Sequence, residues 1–188
     1  KKQPFDVIEL PKDLKKFSKN NTNSKMPFLS LISPKISFDF LGGMFLSVFR
    51  REKWIDAETI LNKKAINDMR TFSHFDNTFP HIKIFSKAFA KSNAFFNSDP
   101  LIVCLSGARE WRPKYPLVRS YRLIEALETY KDNGLPYINY LNCKNFALSH
   151  FIPDTIRMIL NSSVSGIEYV SISRSFLKNF FYPNLYFS

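Results

Sequence analysis

Asp99-Pro-Leu-Ile-Val-Cys-Leu105, Gly134-Leu-Pro-Tyr-Ile-Asn-Tyr-Leu141 and His150-Phe-Ile-Pro-Asp-Thr155 are three short apolar bursts, and their reading decides the fold. Between the first two lies Tyr121-Arg-Leu-Ile-Glu-Ala-Leu-Glu-Thr-Tyr130, whose Leu123, Ile124, Leu127 and Tyr130 share one helical face. Wholly apolar runs alternating with an amphipathic helix are the sequence form of a strand–helix–strand unit with a parallel sheet. Gly134 follows the last turn of that helix, where a left-handed residue closes the backbone, and Pro136 prevents the helix from continuing. Asp154, after Pro153, is placed to cap a further helix, Ile156-Arg-Met-Ile-Leu160. The expectation is a strand–helix–strand–strand–helix core.

Working outward, residues 1–26 form a polar, lysine-rich arm with too little apolar surface to order itself. Phe28–Ile32 and the alternating Ile36–Phe40 are short strand candidates, and Gly42-Gly43 allows a tight bend. Arg50, Arg51 and Lys53 follow. Residues 54–70 have helical spacing, and 81–96 reads as a helix or as a strand passing into one. Residues 167–172 are strand-like, and 161–188 is an aromatic-rich extension expected to bury itself on this domain or on a neighbour.

Composition narrows the partners. The 188 residues suffice for one domain, and 45% hydrophobic content suffices for a core. Lys and Arg outnumber Asp and Glu by 27 to 16, giving a net charge of +11, which calls for a polyanion nearby. No apolar run approaches the roughly 18 residues a spanning helix needs, so no membrane partner is expected. Cys104 and Cys143 read as buried thiols, with no Cys-x-x-Cys spacing and no histidine cluster for a metal. His74 and His81 lack a third ligand. No phosphate loop, dinucleotide fingerprint or Ser/His/Asp arrangement is present, so no cofactor and no catalytic residue is expected.

The segment after Leu105 carries the binding signal. Arg109, Arg112, Lys114, Arg119 and Arg122 are interleaved with Trp111 and Tyr115. Cations beside aromatic planes suit phosphate neutralisation together with stacking on unpaired bases or riboses. With Arg50, Arg51 and Lys53, these are the candidate RNA-contacting residues.

Leu41-Gly-Gly-Met44, a helical insert, Asp99-Pro-Leu-Ile-Val-Cys104, Ile124-Glu-Ala126 leading to Gly134-Leu-Pro136, then Phe151-Ile-Pro153 and Ile156-Arg157 occur in one order. Across residues 36–160 this order resembles the small-subunit ribosomal protein "two" (S-two) family. That family's own pattern is a Trp-Leu-Gly-Gly-Met turn, a helical hairpin, an Asp-Ala-Leu-Phe-Val-Ile-Asp strand, a Lys-Glu-Ala helix, a Gly-Ile-Pro strand and a Phe-Val-Ile-Pro segment. The resemblance implies an α/β domain over 27–160, three layers deep (αβα), with a mostly parallel Rossmann- or flavodoxin-like sheet. A helical insertion over about 52–96 and terminal extensions complete it. It also implies a structural role without catalysis, in contact with small-subunit rRNA and neighbouring ribosomal proteins.

The departures are specific. Asp39 stands where the family usually has Arg, Phe40 replaces Trp, and Leu105 and Asn142 replace strand-closing acids. The His-Phe-Gly-His portion is not visible, and the open sheet edge is expected to be covered either by the lysine-rich arm with the Phe28–Ile32 strand or, as the favoured source, by a separate chain. Such drift, with twenty Phe beside abundant Lys, Asn and Ile, resembles a mitochondrial member and implies a matrix location. The alternatives are a structural subunit of another organellar complex, or an enzyme on the same sheet without recognisable motifs.

Overall fold

Leu123–Asp132 is the helix that the amphipathic pattern predicts, and the core is arranged around it. The computed structural model describes residues 18–36, 43, 47–99, 101 and 111–186. In chain order the elements are β1 (Ser24–Pro27), α1 (Arg51–Ala57), α2 (Lys63–Ile66), α3 (Phe75–Thr78), α4 (Pro80–Ala88) and β2 (Asn93–Phe96). After these come α5 (Tyr115–Leu117), α6 (Leu123–Asp132), α7 (Tyr137–Leu148), α8 (Phe151–Leu160), α9 (Ser162–Ser165) and α10 (Ile172–Asn179). Leu123, Ile124, Ala126, Leu127 and Tyr130 of α6 are buried. The helix closes as expected: Gly134 has φ +99°, and the Leu135 amide returns to the Tyr130 carbonyl at 3.0 Å.

The expected three-layer αβα fold with a mostly parallel, Rossmann- or flavodoxin-like sheet is overturned. Among the described residues the sheet is two-stranded and antiparallel, β1 against β2, and the remainder is mostly helical. The reason lies in the apolar bursts. Pro136 does not protect a strand; with φ −52° and ψ 133° it is the extended residue from which α7 starts. Tyr140, Cys143, Lys144, Ala147 and Leu148 are then buried at intervals of three and four, a helical period continuing through polar residues after Leu141. In the third burst Phe151, Asp154, Thr155 and Met158 are buried with the same period. Pro153 stands in the first turn of α8, where the amide it lacks has no intrahelical partner to lose. A burst of four to six apolar residues fits a buried strand and a buried helical turn equally, and here the helical continuation decides. Of the first burst, Asp99 and Leu101 are exposed, while Pro100 and 102–110 lie outside the described residues.

Smaller expectations shift as well. Residues 28–32 make a 3-10 turn, Phe28–Leu31, rather than a strand, with Phe28, Leu29 and Leu31 buried. The helix expected over 54–70 breaks after α1 and restarts at α2, where the Asn62 side chain accepts from the amides of Lys64 and Ala65. Residues 81–96 are a helix passing into a strand. The strand expected at 167–172 is a 3-10 turn, Ile167–Tyr169, leading into α10. Of the Ile36–Phe40 strand and the Gly42-Gly43 bend, only Ile36 and Gly43 are described.

Long-range packing joins all these pieces. Phe28 meets Phe85 of α4 at 6.4 Å and Tyr130 of α6 at 6.2 Å, and Phe49 meets Phe85 at 4.9 Å. Each such aromatic pair adds about 0.5–1.5 kcal/mol beyond its buried area. The segment read as a helical insertion therefore contributes to the main core. The C-terminal extension does so too: Leu185 is fully buried, and the Asn184 amide donates to Asn145 Oδ1 of α7 at 3.0 Å.

Candidate nucleic-acid interface

Two ion pairs sort the cations of the described 111–122 segment into those turned inward and those turned outward. Val118–Arg122 is a single π-helical turn between α5 and α6, and its wider winding buries Val118, Ser120, Tyr121 and Arg122 together. Arg119 reaches Asp154 of α8 with two donors, Nε to Oδ2 at 2.9 Å and an Nη to Oδ1 at 2.6 Å. Ser120 adds a hydroxyl donor to Oδ2 at 2.6 Å. Asp154 is completely buried, and this three-donor clamp compensates its carboxylate. The residue expected to cap a helix instead ties α8 to the π turn.

Arg122 is 3% exposed. It donates to the carbonyls of Phe72 (3.1 and 3.2 Å) and Ser73 (2.6 Å) and to both oxygens of Glu125 at 2.9 Å. Phe72 has φ +64°, a left-handed conformation costly for a bulky side chain, and the Arg122 bonds hold it there. Arg122 thus works inside the fold and presents no charge to a ligand, contrary to its expected place among the RNA-contacting residues.

The turn it holds forms the floor of a cation–aromatic surface. Trp111 lies edge-on to Phe72 at 5.2 Å and tilted against Tyr115 at 5.9 Å. Arg119 covers the Tyr115 ring at 5.3 Å before turning to Asp154. Lys114 donates to the Thr71 carbonyl at 3.1 Å and stands 5.4 Å from the centre of the Tyr169 ring. Arg70 approaches the same ring at 5.6 Å. Hydrogen bonds from Arg70 hold the Asp68 carboxyl well below the usual carboxylate range, so Asp68 remains charged beside it. Arg112, in the 3-10 turn Arg112–Lys114, is exposed and makes no ion pair among the described residues.

Of the other candidates, Arg50, Arg51 and Lys53 are exposed at the start of α1, whose inner side carries Trp54 against Phe49 at 5.6 Å. They do not adjoin the Trp111–Tyr115 cluster through any described contact. Arg109 lies outside the described residues. Sequence reading missed Arg70 and Tyr169, which come from segments far from Lys114 and meet it only through folding. No local spacing signals that meeting.

A second polar network lies behind α6. Lys144, almost fully buried, donates to Glu128 Oε1 at 2.8 Å and to the Tyr140 hydroxyl at 2.9 Å. Tyr140 itself donates to Glu128 Oε1 at 2.8 Å. Burial alone would raise the Glu128 carboxyl, but the bonds from Lys144 and Tyr140 outweigh it and leave the group below its ordinary value. Burial and the Glu128 charge push the Tyr140 hydroxyl up, so it stays protonated. Lys144 also sits 4.8 Å over the Tyr182 ring, which fastens the C-terminal segment to this network. A cavity of about 300 Å3 opens beside it between α6 and α10, lined by Glu125, Glu128, Tyr169, Arg174, Lys178 and Asn179 among others. Charges of both signs line it.

Among the described residues no group of three or more His, Cys, Asp or Glu could hold a metal ion, and no helix is long and apolar enough to cross a membrane. No family model matches the chain, and no curated protein or solved structure matches it.

Proposed function

We propose that this chain is a structural component of a ribonucleoprotein particle, the small subunit of a mitochondrial ribosome, where it binds rRNA and neighbouring proteins. One observation carries the reading. Arg50, Arg51, Lys53 and Arg112 stand exposed without an ion pair among the described residues, with the exposed Glu52 and Asp56 beside the first three, while Asp76, Glu128 and Asp154 are engaged by Lys83, Lys144 and Arg119. Exposed cations without ion pairs, on a chain of +11, are suited to phosphates. Tyr115, at the edge of the Trp111 cluster, is partly exposed, with Arg119 over its ring. The choice of a ribosome rests on the order of the S-two-like motifs between residues 36 and 160. The parallel sheet of that family is not among the described residues and lends the choice nothing.

The test has two parts. The full chain should bind a small-subunit rRNA fragment with an affinity falling steeply as salt rises, and Arg112→Ala with Arg51→Ala should flatten that slope. In organelle lysates the chain should sediment with the small subunit. Salt-independent binding, or sedimentation with detergent micelles, would overturn the reading and favour a subunit of a membrane complex.

A further inference from the structure

We infer that the outward face of the β1–β2 sheet is a second RNA site, a stacking platform for an unpaired base with its flanking phosphates held by lysines. The inference rests on the ribonucleoprotein reading and adds a ligand class to it: single-stranded rather than duplex RNA. In the register of the sheet, Lys25 stands opposite Phe95 and Pro27 opposite Asn93, and all four are exposed. Directly paired residues project to the same face, so these four make one surface. Phe95 is 69% exposed, whereas its neighbour Phe96 is buried on the other face and anchors the strand.

The platform is held at both ends. The Phe28 amide donates to the Ser92 carbonyl at 2.8 Å, and Asn23 Oδ1 accepts from the amide and hydroxyl of Ser98 at 2.7 and 2.9 Å. Phe95 therefore offers a solvent-facing aromatic ring on a strand held at both ends, a surface on which a planar group can stack.

Charge points to the ligand that this ring suits. The chain has no Asp or Glu from residue 14 to 38 or from 77 to 98, and the sheet zips these two acid-free runs together. Lys19, Lys25, Lys35 and Lys91 are all exposed on them. The Lys19 amide is bonded to the Ile36 carbonyl at 3.1 Å, which brings Lys19 near Lys35. A second copy of this chain would bring the same positive charge, and an apolar partner would leave the lysines unpaired. A polyanion that carries planar rings satisfies both features, and single-stranded RNA is that ligand. Duplex RNA keeps its bases stacked on one another and has no face to offer Phe95.

The experiment measures binding of the full chain to a uridine oligonucleotide and to an RNA duplex across a range of salt. Phe95→Leu keeps the apolar bulk and removes the ring, so it should weaken oligonucleotide binding about tenfold. Its salt slope and duplex affinity should not change, and Phe95→Tyr should restore binding. Lys25→Gln should make the slope shallower by about 0.7, since one phosphate fewer is then neutralised. Both positions are exposed, so the variants fold. Unchanged oligonucleotide binding by Phe95→Leu would overturn the platform while leaving the ribonucleoprotein reading intact. Failure of the unmodified chain to bind any RNA would overturn both. Self-association of the unmodified chain that Phe95→Leu abolishes, with RNA affinity unchanged, would assign the face to a second copy and overturn the proposal.

Discussion

Asp154 shows what a single residue decides here. Read along the chain, it follows Pro153 and precedes an apolar run, which is the signature of a helix cap. In the fold it is an internal anion held by Arg119 and Ser120. The local signal was legible; its partner, thirty-five positions earlier, was not. Asp154→Ala should cost about 3 kcal/mol, the scale for removing one partner of a buried ion pair, measured as a shift in urea midpoint. The double variant Arg119→Leu with Asp154→Leu should be more stable than Asp154→Ala, since it strands no buried charge; the reverse order would show that the pair does not hold α8 to the π turn. Cys143 was legible from sequence as a buried thiol. Its Sγ donates to the Ile32 carbonyl at 3.5 Å, and burial pushes the thiol up to about 12. It should therefore resist alkylation at pH 8 in the folded chain and react at once in denaturant, as peptide mass mapping can follow.

Elements turn on continuations and corners. Helix α6 was readable because its apolar face runs for three turns with a closing Gly134. Helices α7 and α8 were not, because each begins with a proline-bearing apolar burst that also fits a strand, and the deciding periodicity runs on through Asn142, Asn145 and Arg157. Gly166 marks the corner after α9, at φ +75°. A Cβ there would lie 2.9 Å from Leu117 Cδ2 and 3.1 Å from the Tyr169 ring. Gly166→Ala should cost about 1–3 kcal/mol through backbone strain and overpacking. It should also displace Tyr169 from Arg70 and Lys114, which tyrosine fluorescence or an NMR ring-shift measurement would register. The join between α6, α7 and the C-terminal segment is pH-sensitive in one direction. The Glu128 carboxyl is lowered in the folded chain from an ordinary 4.5, so its contribution is full above that value and disappears as pH falls through the lowered one. Protease cleavage after Lys178 should consequently become faster only in acid, and Glu128→Gln should remove that pH dependence.

At the scale of the whole molecule, charge is distributed by depth. The pairs Arg119–Asp154, Arg122–Glu125 and Lys144–Glu128 each include a buried group, while Arg50, Arg51, Lys53, Arg112 and the sheet lysines face water. Added salt acts differently on the two sets. The inner pairs, each with one buried partner, are screened less than the outer cations, Arg119–Asp154 and Lys144–Glu128 least of all. The outer cations repel one another in a chain of +11, and screening relieves that repulsion. The same outer cations are the ones available to phosphates, and screening weakens that attraction. Raising salt from about 0.1 M to 1 M shortens the Debye length from roughly 10 Å to 3 Å, so it should raise the melting temperature by a few degrees while cutting RNA affinity by orders of magnitude. Calorimetry and filter binding on one preparation would measure both. A melting temperature that falls with salt alongside the affinity would mean that the outer cations are neutralised within the fold, and the division between inner and outer charge would not hold.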